Sequence, residues 1–137
     1  MFNVYGSGQN MKDLRQGMVS IYLSQALSSN KILVKGSLDR KRDFIHIDDV
    51  VNIWIRTIKS KKKNKIYNLA TGKNYKVRDV LKKIVHLTGK KKIYKIKETI
   101  GDQFNSYSNN LKLIKDYKYS KFIDIDQGLK KFYRNEK

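Results

Sequence analysis

Arg42-Asp43-Phe44-Ile45-His46-Ile47-Asp48-Asp49-Val50-Val51 gathers three kinds of local signal into one short stretch. Phe44, Ile45 and Ile47 are bulky, β-favouring residues over a strand-length span. Asp48 or Asp49 is placed to accept hydrogen bonds from the unpaired N–H groups that open a helix. The stretch therefore predicts strand, cap and helix in succession. Beyond it, Val50, Ile53, Trp54, Thr57 and Ile58 recur at spacings of three and four, which predicts one buried helical face. Arg40, Lys41 and Arg42 stand at the mouth of the strand. A guanidinium there presents its donors in a planar fork that suits two oxygens of a phosphate. Read from spacing alone, Arg42 fits a surface pair with Asp39 or Asp43 as well.

Upstream, Phe2-Asn3-Val4-Tyr5 reads as the end of a strand, and Gly6-Ser7-Gly8-Gln9-Asn10 as a turn, because glycine tolerates positive φ. Gly6 and Gly8 are not followed by the third glycine of a dinucleotide fingerprint, since Met11 stands there. A helix is predicted from Asp13 to about Ser28, with Leu14, Met18, Ile21 and Tyr22 on one face and Gly17 as a weak point. Its N-terminus, beside Arg15, is a place where free N–H groups favour an anion such as a diphosphate. Lys31 to Lys35 reads as a short strand ending at Gly36, and the loop from Gly36 to Lys41 delivers Arg42.

Downstream, the helix that starts near Asp49 runs into Lys59-Ser60-Lys61-Lys62-Lys63-Asn64-Lys65, a solvated connection with cations near the C-terminal carbonyls. Ile66 to Leu69 predicts a strand and Thr71-Gly72-Lys73-Asn74 a turn. Val77, Val80, Leu81, Ile84 and Leu87 predict a helix that Gly89 ends. Ile93, Tyr94 and Ile96 within a lysine run predict an exposed edge strand, since lysines deter strand-to-strand aggregation. Two short helices are expected at the end, from Asn110 to Asp116 and from Ile125 to Arg134.

The chain has 137 residues, a length for one domain and too short for a dinucleotide-binding domain plus a substrate domain. Hydrophobic residues make up 39% and the mean hydropathy is −0.65, so the chain sits at the polar end of globular proteins. With no cysteine it offers neither disulfides nor a thiolate metal site, and no segment has the apolar length of a membrane span. No signal peptide is expected at the first residues, and a cytoplasmic protein fits these features. The net charge of +19 attracts phosphates and nucleic acids without specificity, so non-specific nucleic-acid binding is expected at low salt. A composition with 25 lysines against 6 arginines, many Asn and Ile and no proline also fits the codon bias of an AT-rich genome.

Four motifs, in order along nearly the whole chain, resemble one family. Arg42-Asp43-Phe44-Ile45-His46-Ile47-Asp48-Asp49-Val50 resembles the R-D-[FY]-[IV]-[HY]-V-x-D-[VL] signature of the extended short-chain dehydrogenase/reductases, the NAD-dependent epimerases and dehydratases of nucleotide sugars. Phe2-Asn3-Val4-Tyr5-Gly6-Ser7 resembles its F-N-x-Y-G-P, with Ser7 where proline is usual. Tyr67-Asn68-Leu69-Ala70-Thr71-Gly72 resembles its Y-N-x-G-x-G, and Gly101-Asp102 the end of its R-x-G-D, with Thr99 at the arginine position. Gly128-Leu129 falls at the usual place in the last helix.

The likeness is to the second half of the family's chain. It implies a mixed α/β fold, residues 1–137 forming one incomplete domain: the C-terminal, nucleotide-sugar-binding part without the N-terminal Rossmann half. It further implies that Asn3 and Arg42 bind the diphosphate side of a sugar nucleotide, that Leu33 and Lys35 lie against its base, and that Asp102 binds the ribose hydroxyls. Lys35 stands where an aromatic residue is usual. NAD is the family's cofactor, but its main binding site is expected outside this chain, with a separate chain carrying the Rossmann half as a candidate partner. The family's Tyr-x-x-x-Lys pair precedes F-N-x-Y-G, so no catalytic residue is expected here. Tyr117/Lys121 and Tyr133/Lys137 have the spacing, but 9 tyrosines and 25 lysines in 137 residues give about 1.6 such pairs by chance. His46 and His86 are too few for a metal site and are expected to pack. Readings from other classes are a small basic nucleic-acid-binding protein and a non-functional remnant of a split gene.

Overall fold

The computed structural model describes residues 1–13, 15, 17–62, 65–89, 91–97, 101 and 103–137. Its elements are β1 (Val4–Tyr5), α1 (Met18–Ser28), β2 (Lys31–Lys35), β3 (Lys41–Arg42), β4 (Ile45–His46), α2 (Ile47–Ile58), β5 (Tyr75–Lys76), α3 (Val77–Thr88), β6 (Lys92–Ile96), α4 (Leu111–Tyr117) and α5 (Ile125–Glu136). The fold is the mixed α/β arrangement expected. β1 pairs with β4 in parallel, Val4 opposite Ile45 and Tyr5 opposite His46. β2 pairs with β6 in parallel from Lys31 opposite Lys92 to Lys35 opposite Ile96. β3 and β5 are antiparallel, with Arg42 opposite Tyr75.

The main core lies where α1, α3 and α5 pack beside β2. Val19, Leu23, Ile32, Val34, Val80, Leu81, Ile84, Leu129 and Phe132 meet there. A second core under α2 and α4 joins Ile45, Val50, Ile53, Leu69, Leu113 and Tyr117. α3 follows its apolar spacing closely, and Gly89 ends it with φ 88°, a left-handed value that favours glycine.

Several expectations are corrected. α1 begins at Met18 instead of Asp13. Asp13 closes a turn onto Asn10, and its carboxylate accepts from the backbone N–H and guanidinium of Arg15, local bonds that compete with helix. Gly17, with extended φ −63° and ψ 152°, is the N-cap position and not an interior weak point. Arg15 is thus spent on Asp13, outside any helix N-terminus. Leu14 lies outside the described residues. In α2 only Val50 and Ile53 of the expected stripe are buried, while Trp54 and Ile58 are exposed. Residues 66–69 form no strand, although the N–H of Phe2 donates to the Leu69 carbonyl.

The helix-opening cap is also different. His46, not an aspartate, caps α2: its Nδ1 accepts from the N–H of Asp48 at 3.2 Å. Asp49 is buried and accepts from the Tyr119 hydroxyl at 2.6 Å and the Ile123 N–H at 3.0 Å, which ties α2 to the segment before α5. Asp48 pairs with Lys131 on α5.

Candidate functional site

Arg42 lies on a two-residue strand held from both sides. β5 flanks it on one, and on the other the N–H of Lys41 donates to the Phe104 carbonyl at 2.9 Å while Ser106 N–H donates to Lys41 at 3.1 Å. The side chain is only 6% exposed, and Nη1 donates to the carbonyls of Lys41 at 2.8 Å and Phe104 at 3.4 Å. A surface arginine is therefore excluded. The carboxylates offered to it as surface partners are engaged elsewhere: Asp39 pairs with Arg78 at 2.5 Å, and buried Asp43 accepts from Thr71 N–H, Thr71 Oγ1 and Gly72 N–H at 3.0, 2.6 and 2.8 Å.

Asp43 thus clamps the Thr71-Gly72 turn against the strand. Gly72 has φ 75°, and a Cβ there would stand 3.1 Å from Asn110 Oδ1, whose amide donates to the Ala70 carbonyl. Asn3 Nδ2 donates to the backbone carbonyl of Asp43 at 2.8 Å, with φ 33°. Asn3 is thereby held against the backbone of the residue that follows Arg42. Leu33 and Lys35 project from the solvent side of β2, in which exposed and buried residues alternate. Asp102 lies outside the described residues, as does Thr99.

Sequence reasoning missed Asp43 and Asp49 as buried organisers. Asp43 carries no local signal for its role, because its partners Thr71 and Gly72 are 28 and 29 residues away. It also missed the close packing at Tyr5, His46 and Gly128. The Tyr5 and His46 rings meet edge to face at 5.3 Å, and a Cβ at Gly128 would collide with the Tyr5 hydroxyl, so α5 approaches here because residue 128 is glycine. Burial pushes the Tyr5 phenol well above its ordinary pKa and the His46 imidazole below its own, the latter partly countered by Asp48. Tyr5 is unsuited to proton transfer near neutrality, and His46 has one nitrogen committed to the cap.

The spaced Tyr-Lys pairs do not form a proton-transfer unit. Tyr117 is the last residue of α4 and Lys121 follows in a loop, so they do not share a helix. Lys137 Nζ instead lies 6.0 Å from the centre of the Tyr133 ring, a cation–π contact at the end of α5. No group of three metal-ligating side chains occurs among the described residues. No helix among them is long and apolar enough to cross a membrane.

Residues 6–10 do not form a turn that opens into a helix. A phosphate cradle requires a glycine turn that opens directly into a helix N-terminus. Here α1 starts only at Met18, and a Cβ at Gly6 would meet Ile47 Cγ2 at 2.5 Å, so Gly6 is taken up by packing on α2.

Residues 1–70 match the NAD dependent epimerase/dehydratase family. The chain is 24% identical over 134 residues to dTDP-4-dehydro-6-deoxyglucose reductase of Escherichia coli, covering 97% of this chain and 42% of that protein. It is 28% identical over 131 residues to a putative UDP-glucose 4-epimerase of Methanocaldococcus jannaschii, covering 94% and 41%. The crystal structure of UDP-glucose 4-epimerase with UDP-glucose from Thermotoga maritima superposes with a TM-score of 0.89 at 25% identity, over 98% of this chain and 44% of that one. The chain spans about two-fifths of the length of the curated relatives it matches. With a match over 70 of its 137 residues and this fold, the chain belongs to the NAD-dependent epimerase/dehydratase family.

Proposed function

We propose that this chain supplies the nucleotide-sugar-binding part of a cytoplasmic sugar epimerase or dehydratase, with Asn3, Leu33, Lys35, Arg42 and Asp102 on the substrate. NAD and the proton-transfer pair are contributed from outside these 137 residues, on a separate chain or a longer product. The observation that carries the reading is the setting of Arg42: a guanidinium buried to 6% exposure, braced on two backbone carbonyls and joined through Asp43 to Asn3. A fork held in this way loses little freedom when it takes an anion, which suits it to a diphosphate. The likeness to an epimerase solved with UDP-glucose supports the same ligand class.

Calorimetry of the chain with UDP, UDP-glucose and UMP tests the reading. Arg42→Ala is expected to weaken UDP-sugar binding about ten- to a hundredfold, the loss of a charged hydrogen bond, while exposed Lys61→Ala changes little. Arg42→Lys, which keeps the charge, is expected not to rescue. Equal effects of Arg42 and Lys61 substitutions, or no binding at all, overturn the assignment. The chain with NAD is expected not to turn over UDP- or dTDP-sugars, and turnover would overturn the division of labour. DNA retention is expected to fall steeply with salt, and sequence-selective binding surviving at about 150 mM would favour a nucleic-acid role instead.

A further inference from the structure

We propose that Tyr94 is the aromatic platform for the nucleobase of the bound nucleotide sugar, taking over on β6 the part that Lys35 cannot play on β2. The inference rests on the nucleotide-sugar reading above and names the residue that holds the base end of the ligand.

The register of one strand pair carries the argument. Along β2, Ile32 and Val34 point into the core while Lys31, Leu33 and Lys35 point out. In a parallel pair, residues opposite one another project to the same face. Leu33 stands opposite Tyr94, Lys31 opposite Lys92 and Lys35 opposite Ile96, so Tyr94 shares the outer face with Leu33 and lies diagonal to Lys35. Leu33 is 44% and Tyr94 41% exposed, so the ring and its aliphatic neighbour remain open to a ligand. The face is thus an aromatic and an aliphatic side chain bordered by Lys31, Lys35 and Lys92, a chemistry that suits a flat, π-bonded base attached to phosphates.

The same strands lead to the arginine. Because β2 and β6 are parallel, their carboxyl ends lie together, the end of an open α/β sheet at which ligands bind. From the carboxyl end of β2 the chain turns at Gly36 and reaches Arg42, and from β6 it returns at Phe104, whose carbonyl accepts from both Lys41 N–H and Arg42 Nη1. Arg42 therefore marks the place where the two carboxyl-end connections meet again. A diphosphate gripped there leaves the nucleoside free to lie on the outer face of β2 and β6, where Tyr94 is the aromatic side chain among the residues of the two strands.

The test is titration of the intact chain with UDP, followed by calorimetry and by the proton resonances of the uracil H5 and H6. In the unaltered chain these protons are expected to shift upfield on binding, as they do over a ring face. Tyr94→Phe is expected to keep the shift and the affinity. Tyr94→Leu and Tyr94→Ala are expected to abolish the shift and weaken binding about tenfold, and exposed Tyr107→Ala to change neither. Because Tyr94 is exposed on an edge strand and Tyr107 is exposed as well, all four variants are expected to melt near the unaltered chain. If UDP binds, weakens with Arg42→Lys, and is indifferent to Tyr94→Ala, the platform is overturned and the nucleotide-sugar reading stands. If the unaltered chain binds no UDP, both fall together.

Discussion

α2 and α3 are each 12 residues long and each follows directly on a two-residue strand; the first turn of α2 carries Asp48 and Asp49, that of α3 carries Asp79. Their burial differs. α3 runs between α1 and α5 and buries Val77, Val80, Leu81 and Ile84. α2 faces α4, β1 and β4 with Val50 and Ile53, while Val51, Trp54, Ile55 and Ile58 stand outward at helical spacing, Ile58 with 83% of its surface exposed. Apolar periodicity states which residues share a face. It does not state whether a neighbour covers that face, and in α2 a second apolar face passes unnoticed beside the buried one.

The largest expected effect breaks the two helices apart. Ile84→Ala, at a fully buried position of α3, should cost about 2–5 kcal/mol through lost burial and the cavity left behind. Ile58→Ala, at the outer face of α2, should stay within about 0.5 kcal/mol. Urea unfolding of both variants checks this. A large cost at Ile58, growing with protein concentration, would show that the outer face of α2 is covered in solution by a second copy.

Next come the first-turn aspartates. Asp49 on α2 is buried and holds Tyr119 Oη and Ile123 N–H, so Asp49→Ala strands two half-buried donors and should cost about 1–3 kcal/mol. Asp79 on α3 acts on the helix dipole, and Asp79→Ala should cost under about 1 kcal/mol. Similar losses at the two positions would mean that the Asp49 bonds contribute no more than the dipole does.

These contrasts mark what could be read from the residues. The passage from strand to helix around Ile45 and the whole of α3 were legible because their signals are local: β-branched residues, a spacing of three and four, a glycine stop. The start of α1 was misread because Asp13 and Arg15 satisfy each other before the helix begins. The cap of α2 was misread because histidine competes with aspartate through its ring nitrogen. At the candidate site, the burial of Arg42 was not legible, since the Phe104 carbonyl that braces it lies 62 residues on. The register that sets Tyr94 beside Leu33 depends on a parallel crossover and leaves no trace in local spacing.

The caps distinguish the helices by pH. His46 caps α2 with a neutral nitrogen, whereas the residue in the same place on α3, Lys76, makes no side-chain cap bond. Burial lowers the folded pKa of His46 below its unfolded value of about 6.5, so the unfolded chain binds more protons as pH falls between the two. The stabilising contribution is complete above about pH 6.5 and is lost as pH drops through that window. Its Nε2 is buried without a hydrogen-bond partner, which adds to the cost of a second proton. His46→Asn keeps a capping acceptor but no titratable ring, so its stability should lose this slope between pH 7 and 5, whatever its absolute value. An unchanged slope would place the titrating group elsewhere.

The smallest effect follows from the unfilled cap of α3. Lys76 sits there with φ −69° and ψ 141°, the extended geometry that a capping side chain requires, yet its ammonium cannot accept a hydrogen bond from the first turn. Asn in its place offers an acceptor to the N–H of Arg78 or Asp79 without altering the backbone. Arg78 N–H already donates to the Leu38 carbonyl at 3.0 Å, so Asp79 N–H is the donor left to gain. Lys76→Asn should therefore stabilise the chain by about 0.5–1 kcal/mol, with Lys76→Ala, which removes the same charge and offers no acceptor, as the control. The two substitutions relieve equal amounts of the +19 charge, so a difference between them in urea unfolding isolates the cap. If Asn and Ala give the same stability, α3 gains nothing from a side-chain acceptor, and its packing between α1 and α5 together with the Leu38 and Arg40 carbonyls holds its first turn.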